Sequence, residues 1–166
     1  MIDCSKLEVI AECKNGVFKN YVPRKTYKEH IKGIYMIRFS DDKFYIGVSN
    51  HLRNRLNQHY WGMITGKHDL KLLAETFEEN PSFIAYLLSS TPNENMATER
   101  GFIYALQPTL NTILPFSNRV TLEEIRTVSR VTGISVSDLL SRNHKAIGSL
   151  KCPHCGADIT IKIDLS

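Results

Sequence analysis

At 166 residues with 42% hydrophobic content, the chain can bury one sound core of about 100 residues plus a small appendage, which makes one and a half domains. Its apolar runs stay below the roughly 18 residues that span a bilayer and no signal-peptide core follows the N-terminus, so a soluble, cytoplasmic protein with no membrane partner is expected. The net charge of +4 is modest, but residues 19–60 hold nine Lys and Arg against three Asp and Glu, a patch that attracts polyanions such as nucleic acid.

Ser5 to Cys13 has the spacing of a short helix, and Gly16 to Lys32 reads as a polar, loosely structured arm, so residues 1–30 form an N-terminal extension. Gly33-Ile34-Tyr35 and Tyr45-Ile46-Gly47 then flank the turn residues Asp41-Asp42, which predicts a β-hairpin over 33–47. Ser49-Asn50 can cap a helix over about 50–62, on which Arg55 and His59 stand four residues apart and share a face. Gly62 and Gly66 mark a break, and Lys67 and His68 beyond it carry no signal except proximity. Leu70, Leu73, Ala74 and Phe77 give the segment from Asp69 to Glu79 one apolar helical face, ended by Asn80-Pro81. Phe83 to Leu88 is a continuous apolar run and predicts a buried central strand. Thr91-Pro92-Asn93 opens a third helix containing Glu99 and offering Met96, Phe102, Ile103 and Leu106 for packing, and Pro108 closes it. Three strands and three helices in this order describe a compact α/β layer ending near Asn111.

Taken together, G-I-Y at 33–35, Y-I-G at 45–47, Arg55 and His59 on the helix, Glu99 within A-T-E-R-G-F-I-Y, and Asn111 within T-L-N resemble the GIY-YIG nucleases over residues 31–113. The resemblance implies the GIY-YIG fold, a small three-stranded antiparallel sheet flanked by helices, and a metal-dependent DNA endonuclease of homing or restriction type. It also implies Tyr35, Tyr45, Arg55, His59 and Glu99 as the catalytic set, with Asn111, Gly33 and Gly47 supporting it.

The chemistry of phosphodiester hydrolysis agrees with that set. It requires an activated water, a cation for the charge growing on the phosphate, and help for the leaving oxygen. Glu99 is the natural ligand for one Mg²⁺ or Mn²⁺, because hard cations take carboxylate oxygen. The planar fork of Arg55 suits the non-bridging phosphate oxygens. The resemblance implies Tyr35 as general base, with His59 relaying its proton or orienting it and Tyr45 holding the water or phosphate, although the two phenols can exchange roles. Asn111 is expected to hydrogen-bond local backbone. Lys43 and Arg53 are candidate contacts to DNA phosphates.

Beyond Asn111 the resemblance stops. Thr121-Leu122-Glu123-Glu124 has a capping pattern, and with the turn at Thr132-Gly133 it gives residues 119–144 a helix-turn-helix-like form, an ordinary helical hairpin being the alternative. In residues 145–166, Cys152-Pro153-His154-Cys155 between two strand-like runs resembles half a zinc ribbon, in which Cys152 and Cys155 hold one side of a Zn²⁺. The other two ligands would come from Cys4 and Cys13, which are otherwise small buried hydrophobes, from His154 or His144, or from another subunit, a metal-free knuckle being the alternative. The whole appendage is expected to select or hold DNA. Two other readings stay open, a structure-selective repair nuclease and a non-catalytic DNA-binding regulator. One active site cuts one strand, so double-strand cleavage implies a homodimer, successive nicks or a turn-around on the duplex.

Overall fold

The computed structural model describes residues 2–23, 31–90, 95–111, 120–144, 150–151 and 158–159, with backbone alone at 95–98, 142–144, 150–151 and 158–159. A short 3-10 turn (Cys4–Lys6) leads into two strands, β1 (Glu8–Lys14) and β2 (Val17–Asn20). The helix expected over residues 5–13 is therefore mostly a strand, and the expected loose arm contributes another. The local cause is Asn15-Gly16, with φ of 50° and 79°, since two successive left-handed residues make the tight turn that joins antiparallel strands. Lys14 lies opposite Val17 across it.

The distant cause is β5 (Phe83–Ser89), whose free edge needs a partner for its backbone N–H and C=O groups. β1 supplies it, with Glu8 opposite Leu87 and Cys13 opposite Phe83. On the other edge β5 pairs with β3 (Gly33–Arg38), which pairs with β4 (Phe44–Ser49). The result is one antiparallel sheet of order β2-β1-β5-β3-β4, five strands rather than the three expected.

Both faces of this sheet are covered, which explains why its central strands are apolar throughout instead of alternating. Tyr35 and Ile37 point to the face packed by α1 (Leu52–Ile64) and α2 (Lys71–Glu79), together with Leu56, Leu73 and Phe77. Ile34 and Met36 point to the other, covered by α3 (Asn95–Leu106), α4 (Leu122–Thr132) and α5 (Val136–His144). All four side chains are 0% exposed. Burying a side chain of this size contributes about 1.5–3 kcal/mol, so β3 is an anchor of the fold as well as a wall of any site built on it.

α4 and α5 are two helices joined through the turn at Gly133, an arrangement common to a helix-turn-helix and to an ordinary helical hairpin. Thr121 and Glu124 make a reciprocal capping box, and Gly133, at φ 71°, ends α4 in the left-handed conformation. The pair packs on α3 through Ile125, Val128 and Leu139, so it shares the core of the sheet. A Cβ at Gly101 would stand 2.9 Å from Cβ of Glu124, and its absence lets α3 and α4 approach.

β6 (Leu150–Lys151) and β7 (Asp158–Ile159) pair antiparallel. Cys152 and Cys155, the candidate Zn²⁺ ligands, lie outside the described residues. Cys4 and Cys13 are free thiols in the body of the fold: Cys13 is buried on β1 and Cys4 accepts a hydrogen bond from Arg38 at 3.2 Å. No helix among the described residues is long and apolar enough to cross a membrane.

Candidate active site

Strand register builds the first wall of the site. Pairing of β3 with β4 sets Tyr35 opposite Gly47. A Cβ at Gly47 would stand 2.7 Å from Tyr35 Oη and 2.8 Å from the Tyr45 ring, so only glycine leaves room for both phenols. Gly33 is required for a different contact: its missing Cβ would fall 2.5 Å from the Ser89 carbonyl oxygen, beside the point where β3 slips register against β5. We expect Gly47→Ala to displace both phenols at a cost of about 1–3 kcal/mol, the usual cost of overfilling a packed core. A lowered Tm with a shifted near-UV tyrosine signal is the measurement, and an unchanged signal would contradict the packing argument.

α1 supplies the second wall. It starts at Leu52 with His51 in the cap position, and Ser49 Oγ accepts the His51 N–H at 3.0 Å rather than capping the first helical turn. One turn apart on its inner face stand Arg55, half-buried, and His59, only 1% exposed. His59 Nε2 lies 2.6 Å from Tyr35 Oη. The Tyr45 and His59 rings meet edge to face with centroids 5.4 Å apart, and the Tyr35 centroid is 6.2 Å from that of Tyr45. Glu99 reaches the cluster from α3, close enough to Tyr45 to act on its charge.

Burial dominates the electrostatics. It pushes the Tyr35 phenol well above its usual range, and neighbouring Tyr45 adds to this, while the Arg55 guanidinium pulls the other way by charge and hydrogen bonding. Tyr45 is raised as well, again by burial first, with Arg55 opposing and Glu99 reinforcing. His59 is pushed down to about 2 by burial, then by Arg55 and His68, so its imidazole is neutral at any working pH. Arg55 remains the fixed cation among these groups, held by the two phenols against its own desolvation. Such a constellation can hold a phosphate, present a phenol to a water and keep bulk solvent from its innermost groups.

Residues 31–112 match the family model of the GIY-YIG catalytic domain. These residues form a GIY-YIG nuclease domain. No curated protein and no solved structure matches the chain significantly. Membership makes the domain a nuclease with DNA as its substrate. The GIY-YIG segment opens just before β3 and closes just after Asn111, so β1 and β2 precede it while sharing its sheet.

Within the GIY-YIG domain the structure brings Tyr35, Tyr45, Arg55, His59 and Glu99 together. Asn111 stands at its border and bonds not to its sequence neighbours but to Ile46: its Oδ1 accepts the Ile46 N–H at 2.9 Å and its Nδ2 donates to the Ile46 carbonyl at 2.8 Å. In this way it pairs the outer edge of β4 as a further strand would. Lys43 lies at the turn end of the hairpin and forms an exposed ion pair with Glu79 at 2.9 Å. Arg53 donates to the carbonyls of Asn20 and Val22, tying α1 to the end of β2. Neither joins the phenol cluster.

The donor set for a metal is small. Among the described residues no three His, Cys, Asp or Glu side chains are grouped to hold an ion. Glu99 is half-buried, and burial raises its carboxyl with only the Val48 backbone hydrogen bond, among the described residues, to offset this. A desolvated carboxylate so poorly compensated suits a hard cation that takes one protein oxygen and completes its shell with water and substrate phosphate.

His68 belongs to the same cluster, although the sequence gives it no weight. Its Nε2 lies 2.7 Å from His59 Nδ1. The signal that finds it is Gly62 followed by Gly66: a Cβ at Gly62 would stand 2.8 Å from His68 Cδ2, so the helix leaves a gap into which this ring fits.

Proposed function

We propose that this GIY-YIG protein is a divalent-metal-dependent DNA endonuclease of homing or restriction type. The observation that carries the reading is the convergence of two phenols, a guanidinium, a neutral imidazole and a desolvated carboxylate, from β3, β4, α1 and α3, around one end of a hairpin. Glu99 would hold Mg²⁺ or Mn²⁺, and an ion bound there supplies positive charge for the phosphate oxygens. Arg55 presents its fork to the non-bridging oxygens, where the charge of the transition state grows. Tyr35 is the general base, drawn toward its phenolate by Arg55, and Tyr45, nearer to Glu99, orients the water or the phosphate.

Supercoiled plasmid and branched DNA, each incubated with Mg²⁺ or EDTA, test this reading. Discrete Mg²⁺-dependent fragments from the plasmid are expected, whereas cutting confined to the branched substrate would indicate a repair nuclease. Binding with no cleavage of either would sink the nuclease proposal and favour a DNA-binding regulator. In the same assay Arg55→Lys is expected to lower kcat by about 10²-fold, because a point charge cannot imitate a bidentate fork. An unimpaired lysine variant would remove Arg55 from the phosphate.

A further inference from the structure

We propose that His68 is a positioning residue of this site: it fixes the tautomer of His59, so that His59 turns an N–H, not a lone pair, toward the Tyr35 oxygen. Its consequence for cleavage rests on the nuclease reading above, while the hydrogen-bond polarity does not.

The argument starts from a backbone amide, which can only donate. The Leu70 N–H lies 2.9 Å from His68 Nδ1, so this nitrogen carries the lone pair and the neutral ring holds its proton on Nε2. That Nε2–H faces His59 Nδ1 at 2.7 Å, which makes His59 Nδ1 the acceptor. The proton of neutral His59 is then on Nε2, 2.6 Å from Tyr35 Oη. Reversing the wire would set the Leu70 N–H against a His68 N–H, a donor facing a donor. Doubly protonating either ring creates the same conflict. The charged and titratable neighbours act in the same sense on His59, where Arg55 and His68 both disfavour imidazolium. At His68 burial and Arg55 disfavour it, with Asp69 opposing.

The ring geometry fits a hydrogen bond rather than stacking. The two imidazole planes are 9° apart with centroids 4.9 Å apart. Nitrogens 2.7 Å apart cannot belong to rings lying face over face, whose atoms would stand about 3.5 Å apart, so the rings meet end to end.

The chain is folded to make this contact. α1 ends in a left-handed Gly66 at φ 64°, with Lys67 N–H donating to the Gly62 carbonyl at 3.0 Å and Gly66 N–H to the Met63 carbonyl at 3.2 Å. This double closure turns the chain back on the helix it has just left. His68 then descends over Gly62, one turn beyond His59 and on its side of the helix, where no Cβ stands in the way.

The consequence is a division of labour. His59 stabilises a Tyr35 phenolate alongside Arg55, and it does not collect the Tyr35 proton. That proton points away from the imidazoles.

Imidazole ¹⁵N NMR of the free protein near neutral pH reads the polarity directly. Both His59 and His68 are expected as neutral Nε2–H tautomers, and a His59 carrying its proton on Nδ1 would overturn the proposal. In cleavage assays His68→Phe is expected to lower kcat by about 10- to 100-fold with little change in KM, the size typical of groups that orient a catalytic one. His68→Gln, whose amide nitrogen stands where Nε2 stood and can donate, is expected to recover most of that loss. Equal impairment in the two variants, or none in either, contradicts the assignment. Should His68→Phe fail to fold, Gly62→Ala displaces the ring without altering it and is expected to give the same kcat loss and a mixed His59 tautomer; normal values of both would overturn the proposal. A wild-type protein that cuts no DNA overturns the nuclease reading, whereas the wrong His59 tautomer overturns this one.

Discussion

Glu99→Gln is expected to lower the initial rate of plasmid nicking by about 10³-fold and, in EDTA, to raise the Tm of the protein. The sign of the Tm change follows from the burial that lifts the Glu99 carboxyl above its ordinary range. A carboxyl whose folded pKa exceeds its unfolded value keeps its proton longer in the native state. Between those two values the stability of the native protein falls as pH rises, and above them the cost of the buried charge is fully present. Glutamine keeps the shape without the charge, so at neutral pH and without metal the variant escapes that cost. Cleavage moves the opposite way, since an amide is a poor ligand for a hard cation. Such a trade of stability for activity is what a functional carboxylate shows and a structural one does not. Calorimetry in EDTA beside nicking rates in Mg²⁺ measures both. A lowered Tm with unchanged nicking would make Glu99 a structural residue and remove it from the metal site. The raised carboxyl also sets an acid limb: nicking weakens as pH falls through the Glu99 pKa, and more Mg²⁺ moves that limb to lower pH.

How much of this was legible in the chain depends on whether the signal was local. The hairpin, the Arg55 helix and the strand from Phe83 were readable because glycine and turn residues punctuate each of them and their periods are distinct. In the segment from Ser5 to Cys13, Leu7, Ile10 and Ala11 fit a helical face as well as a strand, so the local pattern is ambiguous. Two signals point to the strand. Asn15-Gly16 is a strong hairpin dipeptide, and a strand as apolar as β5 needs partners on both edges, of which the three-stranded expectation supplied one.

The site divides along the same line. Arg55 and His59 fall on one helix face by spacing alone, whereas the approach of Glu99 to Tyr45 depends on how α3 packs, and only the family resemblance anticipated it. Asn111 reaches Ile46 across 65 residues, so no local pattern encodes the partner. His68 carries no pattern of its own, because its position is set by the space left at Gly62 and the left-handed turn at Gly66. The charge patch between residues 19 and 60 is partly spent on the fold, since Arg53 binds carbonyls and Lys43 an acidic neighbour in an exposed pair.

Tyr35→Phe is expected to be the most informative change in the molecule, because it removes one oxygen and leaves a ring that is 0% exposed in place. Without that oxygen the His59 Nε2–H has no acceptor, and the loss should cost about 1–3 kcal/mol, read as a lowered Tm. If Tyr35 is the base, kcat falls by about 10³-fold. The pH profile then separates this from a loss of packing. A phenol raised by burial is mostly protonated near neutrality, so the fraction able to accept a proton grows about tenfold per pH unit and log kcat should rise with unit slope from neutral into alkaline pH. His59, pushed down to about 2, adds no inflection near the ordinary histidine range. Tyr35→Phe should flatten the alkaline rise, and Tyr45→Phe should lower the rate while keeping it. The opposite pattern, with the slope surviving in Tyr35→Phe and vanishing in Tyr45→Phe, would transfer the role of base to Tyr45. In that case the aligned donors of His68, His59 and Tyr35 would serve a phenolate one ring further along.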